Sequence, residues 1–228
     1  FNEDGWPDLY VSNDSTPNFL FLSDGEGGVQ ERGLLSGAAL SSRGREQAGM
    51  GLAAGDLTGN QHEDLLVTNF SMEPNALYLN DGQAHFEDDS DPSGIGGSSR
   101  KRLGWGAAFV DVDLDGDLDV ITANGHVYYQ ADEPGTDTSY AQPDSLWLNE
   151  GSGSFRVAAW PGEEPAVSRA LATGDLDDDG LTDLVIARRS GAPAVWRGLG
   201  AGGQTLQLSL LGPAGNPDAV GAKVQFTD

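Results

Sequence analysis

Short runs of apolar and small residues alternate along this chain with punctuation rich in Gly, Asn and Asp. Runs of that length between turn residues predict β-strands, because a helix needs a longer stretch of 3.6-residue periodicity. Four kinds of run recur in a fixed order. The first is small-residue: Gly49–Gly55, Gly104–Val110 and Ser168–Gly174. An acidic turn follows. The second run is apolar and ends at Asn in Leu9–Asn13, Leu65–Asn69 and Val120–Asn124. The third closes on a turn in Phe19–Gly25, Ala76–Gly82 and Ser145–Gly151. Asn-Asp-Gly and Asn-Glu-Gly after such a run predict hairpins. The fourth carries one aromatic residue, Phe86 or Phe155. The last aspartates of the acidic turns are Asp8, Asp64, Asp119 and Asp183, at spacings of 56, 55 and 64 residues. A four-strand unit at that period predicts an all-β fold, a β-propeller of antiparallel blades. The Gly/Ala-rich strand suits the crowded place nearest the axis. About three and a half blades are visible, against roughly four to eight in a closed propeller. The expectation is that neighbouring blades precede Phe1, since the sequence opens inside a turn and without Met.

The turns carry the candidate chemistry. Asp111, Asp113, Asp115 and Asp119 stand at positions 1, 3, 5 and 9 of one, with Gly116 at position 6. Asp175, Asp177, Asp179 and Asp183 repeat this around Gly180. Hard cations such as Ca²⁺ take roughly six to eight oxygen ligands, and a flexible acidic loop supplies them. The carboxylates, with the backbone carbonyl of Asp117 or Leu181 at position 7, make such a set. An EF-hand begins the same way but needs Glu at position 12. Here position 12 is Thr122 or Ile186, and the following residues are β-branched and apolar, so each turn is read as joining two strands. Two further copies are partial. Asn2, Asp4 and Asp8 match positions 3, 5 and 9. Asp56, Thr58, Asn60 and Asp64 match positions 1, 3, 5 and 9, but Thr58 and Asn60 replace Asp and Gln61 replaces Gly. Fewer charged ligands predict weaker binding there.

Composition narrows the classes. There are 36 acidic against 12 basic residues, a formal net charge of −24. That argues against binding nucleic-acid phosphates. No Cys is present, which removes disulfides, thiolate metal sites and cysteine nucleophiles. No run of about 18 apolar residues predicts a membrane span.

The order small strand, Asp-x-Asp-x-Asp-Gly-x-x-Asp-Leu, strand, Leu-Tyr/Trp-Leu-Asn, Phe resembles the FG-GAP (VCBS-type) repeat. The resemblance covers roughly residues 1–200 and is sharpest at Asp111–Asp119 and Asp175–Asp183. It implies the calcium-carrying propeller of integrin α chains and of many secreted bacterial proteins. Residues 204–228, with Leu206–Leu211, Asn216 and Val220-Gly221-Ala222-Lys223-Val224, resemble the opening of an ASPIC/UnbV domain, cut short at Asp228. Propeller followed by that domain is the order in the cartilage acidic protein family and its bacterial relatives. This implies an extracellular or cell-surface, calcium-binding protein.

Other positions read two ways. His126, before a polar insertion at 130–144, is a ligand or base, or a turn histidine with a structural hydrogen bond. Loops on rigid scaffolds often carry function, which makes the insertion the expected ligand contact. Arg100-Lys101-Arg102 contacts an anionic partner or offsets nearby acid. Asn13-Asp-Ser15 and Asn69-Phe-Ser71 match the glycosylation sequon, yet both Asn end repeat strands, which favours a structural role. The resulting expectation is a non-catalytic calcium-binding module for adhesion or for recognition of a protein or glycan ligand. A propeller hydrolase or lyase with its site at the axis is the alternative, and a scaffold presenting neighbouring domains is a third reading.

Overall fold

The computed structural model describes residues 1–159, 164–198, 206, 208–222 and 224. Four antiparallel sheets follow one another along the chain. The first contains β1 (Leu9–Val11), β2 (Phe19–Ser23) and β3 (Val29–Glu31). The second contains β4 (Gly49–Gly55), β5 (Asp64–Asn69), β6 (Ala76–Asn80) and β7 (Phe86–Asp88). The third repeats it with β8 (Gly104–Val110), β9 (Asp119–Asn124), β10 (Ser145–Asn149) and β11 (Phe155–Ala158). The fourth holds β12 (Ser168–Gly174), β13 (Asp183–Arg188) and β14 (Ala194–Trp196). Each sheet pairs its strands in sequence order, as propeller blades do, and the array is open. The three small-residue strands have the bounds the sequence predicts.

Those small residues are needed where the innermost strands meet. A Cβ on Gly51 would lie 1.6 Å from the carbonyl oxygen of Trp105, and one on Gly106 would lie 2.7 Å from the Leu171 nitrogen. β4, β8 and β12 thus approach backbone to backbone. Each has a register irregularity at its start, between Gly49 and Leu52, Gly104 and Ala107, and Ser168 and Ala170.

Apolar layers fill the spaces between blades. Tyr10 and Leu20 pack on Leu65, Val67, Tyr78 and Phe86 between the first two. Leu57, Leu66 and Leu77 pack on Val120, Trp147 and Phe155 between the next two. Val110, Ile121 and Ala123 meet Leu184 and Ile186 between the last two. Two short helices, α1 (Gly33–Ser36) and α2 (Ile95–Ser99), link successive blades. At four and five residues they are too short to leave a periodic signal.

The Asn that ends the second strand holds a repeated turn. Asn13 Nδ2 donates to the Pro17 carbonyl, Asn69 to that of Pro74 and Asn124 to that of Pro143, at 2.7, 2.7 and 3.0 Å. Those amide groups are occupied in the fold, the structural role expected for both sequon residues. Residues 208–222 run as turns without a strand; Asn216 caps one, accepting from the Val220 N–H and donating to its carbonyl. The end of the expected second strand, at 223 and 225–228, lies outside the described residues. Among the described residues no helix is long and apolar enough to cross a membrane.

Candidate metal centre

Three acidic turns join the innermost strand of a blade to its second strand, and the turn at Asn2–Asp8 leads into β1. All four share one backbone course. The fourth position has positive φ in Glu3, Gly59, Leu114 and Asp178 (58°, 73°, 60° and 58°). So does the sixth, in Gly5, Gln61, Gly116 and Gly180 (86°, 70°, 99° and 83°). Glycine at position 6 is legible in sequence as a left-handed residue. The left-handed fourth position is not, since Gly occupies it only once.

The position-9 aspartates are the anchors. One oxygen accepts the N–H of position 2, from Leu57, Val112 and Leu176 at 3.0, 2.9 and 2.8 Å. In the first turn the nitrogen of Phe1, again at position 2, lies 2.7 Å from Asp8. The other oxygen accepts an N–H at the end of the third strand. The donors are Ser23, Asn80, Asn149 and Gly198, at 2.9, 2.9, 2.8 and 2.8 Å. Asp8, Asp64, Asp119 and Asp183 therefore close the turn and pin a strand across the blade. Burial raises the Asp119 carboxyl to about 6, against the N–H bonds of Asn149 and Val112, which lower it. Burial raises Asp64 as well.

Position 1 curls the turn around itself. Asp111 accepts the N–H groups of Asp115 and Gly116 at 3.1 and 3.0 Å. Asp175 accepts those of Asp179 and Gly180, and Asp56 those of Asn60 and Gln61. Position 3 joins position 1 in a close set in both full loops, with position 5 in the third loop and position 9 in the fourth. Oxygens of Asp111, Asp113 and Asp115 lie within 4.8 Å of one another, and so do oxygens of Asp175, Asp177 and Asp183. Ligands on one Ca²⁺ at about 2.3–2.6 Å lie at most about 5 Å apart, so both sets fit a hard divalent cation in donor type and in separation. Burial, then the neighbouring Asp115 and Asp111, raises the Asp113 carboxyl, as expected where like charges converge without a cation.

The remaining candidates divide. Asp117 and Leu181 give their N–H groups to Asp115 and Asp179 at 3.0 and 2.9 Å. Asp119 lies outside the mutually close set of its loop, and Asp179 outside that of the last loop. Asp179 instead meets Arg197, whose guanidinium bridges it and Asp177 at 2.9 and 2.7 Å. Among positions 1, 3, 5 and 9 of the worn loop only Asp56 and Asp64 are charged, and Thr58 Oγ1 is buried without a hydrogen-bond partner. In the first loop Asn2 and Asp4 bond each other at 2.9 Å.

His126 is a buried residue of the turn. Its Nε2 meets Ser71 Oγ at 3.1 Å, its Nδ1 accepts the Tyr128 N–H at 3.0 Å, and burial lowers its pKa. That is the turn-histidine reading, with a neutral ring at pH 7. The insertion is tied to the scaffold: Gln142 exchanges backbone bonds with Ala166, and its side chain accepts the Leu103 N–H at 2.9 Å. Lys101 of the basic cluster stands 4.0 Å from Asp137 of the insertion.

Two contacts that sequence reasoning missed tie neighbouring blades. Asn80 Nδ2 donates to the Phe1 carbonyl at 2.9 Å, and Asn149 Nδ2 to the Leu57 carbonyl at 2.8 Å. Phe1 and Leu57 hold position 2 of the preceding loop, so the first two loops are each anchored by the next blade. The recurrent Leu-Asn at the end of the third strand was the available signal.

Comparison with known proteins follows the same unit. The model of the FG-GAP-like repeat family matches residues 1–67 and 56–122, each stretch running from one acidic turn to the strand after the next. Mouse (Mus musculus) cartilage acidic protein 1 is 26% identical over 182 residues, covering 75% of this chain. The chain spans 25% of the length of that relative. A solved structure concerns a lectin of Agrocybe aegerita that specifically recognises non-reducing terminal N-acetylglucosamine. It aligns over 91% of this chain and 64% of its own, at 16% identity and a TM-score of 0.36. Because the two family-model matches together cover more than half of the sequence and coincide with the repeated turn and strand, the chain belongs to the FG-GAP-like repeat family.

Proposed function

We propose that this chain is a calcium-stabilised propeller segment of an extracellular protein, serving adhesion or recognition of a protein or glycan ligand. The observation that carries the reading is the pair of converging carboxylate sets, Asp111/Asp113/Asp115 and Asp175/Asp177/Asp183, on preformed turns. Calcium bound there would neutralise carboxylates that otherwise repel. Like charges about 4 Å apart repel by about 1 kcal/mol even at the dielectric of bulk water. The ion's role is structural, because each of the two loops joins the innermost strand of its blade to the second and is closed by its position-9 aspartate. The worn loop at Asp56–Asp64 binds more weakly, having two carboxylates fewer. The similarity to cartilage acidic protein 1 supports the extracellular setting, and residues 204–228 are read as the opening of an ASPIC/UnbV domain.

A recognition role rather than catalysis is supported by the lining of the axis. β4, β8 and β12 carry a single ionisable side chain, Arg169. It stacks on Trp105 at 4.6 Å and donates to the carbonyls of Gly125, His126 and Ser168.

Calcium titration by calorimetry of metal-stripped protein tests the reading. At least two sites are expected, with one lost in Asp113→Ala and one in Asp177→Ala. Saturating calcium at 100 times Kd adds about 2.7 kcal/mol per site, so chelation lowers the melting temperature by several degrees. High salt restores only part of it, since screening removes repulsion without supplying coordination. Coincident melting curves with chelator and with calcium would leave these loops as solvated turns.

A further inference from the structure

The fourth loop carries a cation of its own. The last residue before the strand-end N–H that binds the position-9 aspartate is Leu79 in the second blade, Leu148 in the third and Arg197 in the fourth. Arg197 Nε lies 2.7 Å from Asp177 Oδ2 and its Nη2 lies 2.9 Å from Asp179 Oδ2. These are the position-3 and position-5 carboxylates, and the other oxygen of Asp179 accepts the Leu181 N–H. In the third loop the position-5 residue, Asp115, belongs to the mutually close set. In the fourth, Asp179 does not, and its Oδ2 is on the guanidinium. The same backbone thus presents two differently charged concavities. The difference traces to one side chain from across the blade.

We propose that Arg197 is a resident counter-cation of the fourth loop, competing with calcium for Asp177 and Asp179 and setting that loop's affinity below the third's. This rests on the calcium reading above. To bind calcium with the full carboxylate set, the loop must release the guanidinium or hold it beside the ion as a like charge. A unit charge about 5 Å from a divalent ion weakens binding on the order of tenfold at bulk-water dielectric. The same contact keeps the loop charge-balanced when calcium is scarce. The fourth blade would then be the least calcium-dependent for its fold and the last to fill. Arginine suits this better than lysine, since its planar fork spans two carboxylates at once.

The test is calorimetric titration of the full chain with Asp113→Ala, which silences the third loop, with and without Arg197→Leu. The leucine is the residue found in the second and third blades. The expected result is a fourth-loop Kd about tenfold tighter at unchanged stoichiometry, with Arg197→Gln shifting it in the same direction. In chelator the order reverses, and Arg197→Leu melts below its parent. Unchanged or weaker affinity in both Arg197 variants, with circular dichroism matching the parent, overturns this inference and leaves calcium binding intact. If the unmutated protein shows no calcium binding, the calcium reading falls and this inference with it.

Discussion

The division of labour among the loop carboxylates is open to a direct test in Asp64→Ala compared with Asp113→Ala. Asp64 is fully buried and accepts two backbone N–H groups, from Leu57 at 3.0 Å and Asn80 at 2.9 Å. Both donors belong to buried residues. Removing the carboxylate leaves each of them unpaired, at a cost of about 1–3 kcal/mol per group. Relief of a carboxylate that burial disfavours offsets part of that. A net loss of about 2–4 kcal/mol remains, or roughly 5–15 °C in melting temperature for a chain of this size. The loss should be the same in calcium and in chelator, because the bonds are internal to the fold. Asp64→Asn keeps one acceptor and should recover about half. Asp113 is exposed and belongs to a converging set, so Asp113→Ala should melt near the parent in chelator and below it only in calcium. Differential scanning calorimetry of the three variants under both conditions decides the matter. An Asp64→Ala protein that melts within a degree of the parent in chelator would show that the position-9 aspartate is not a structural anchor.

Three further outcomes follow from the same geometry. Gln61 holds a left-handed φ of 70° where the other turns have Gly, a conformation costing about 1–2 kcal/mol outside glycine; Gln61→Gly should raise stability by about 0.5–1 kcal/mol in urea unfolding, net of glycine's greater chain entropy. Asn149→Ala strands the carbonyls of Leu57 and Leu118 and should cost about 1–3 kcal/mol in urea unfolding, since it cuts a tie between the second and third blades. The Asp119 carboxyl, raised to about 6, holds its proton more tightly folded than unfolded. Its contribution to calcium-free stability therefore falls as pH rises from about 4 to 6 and is flat above that, by at most about 3 kcal/mol. Asp119→Asn should flatten that part of the pH profile, read as melting temperature in chelator.

Much of the fold could be read along the chain because its determinants are local. Gly49–Gly55, Gly104–Val110 and Ser168–Gly174 announce the crowded inner strands through their missing side chains, and the structure places all three at those bounds. Gly116 and Gly180 mark the left-handed residue of each acidic turn. The repeat of aspartates at fixed positions fixes which turns are candidate cation loops. The sequence also shows where copies are worn, at Thr58, Asn60 and Gln61. What it does not contain is the fate of each carboxylate, since Asp at positions 1, 3, 5 and 9 looks alike in a string of letters. Asp119 becomes an anchor because Asn149, 30 residues later, delivers its N–H across the blade. Asp179 leaves its cluster because Arg197, directly after β14, reaches it. His126 is buried against Ser71 of the preceding blade and so becomes part of the turn's scaffold. Backbone periodicity is written in neighbouring residues, whereas burial and partnership depend on which strands and blades pack together, and only the tertiary structure supplies that.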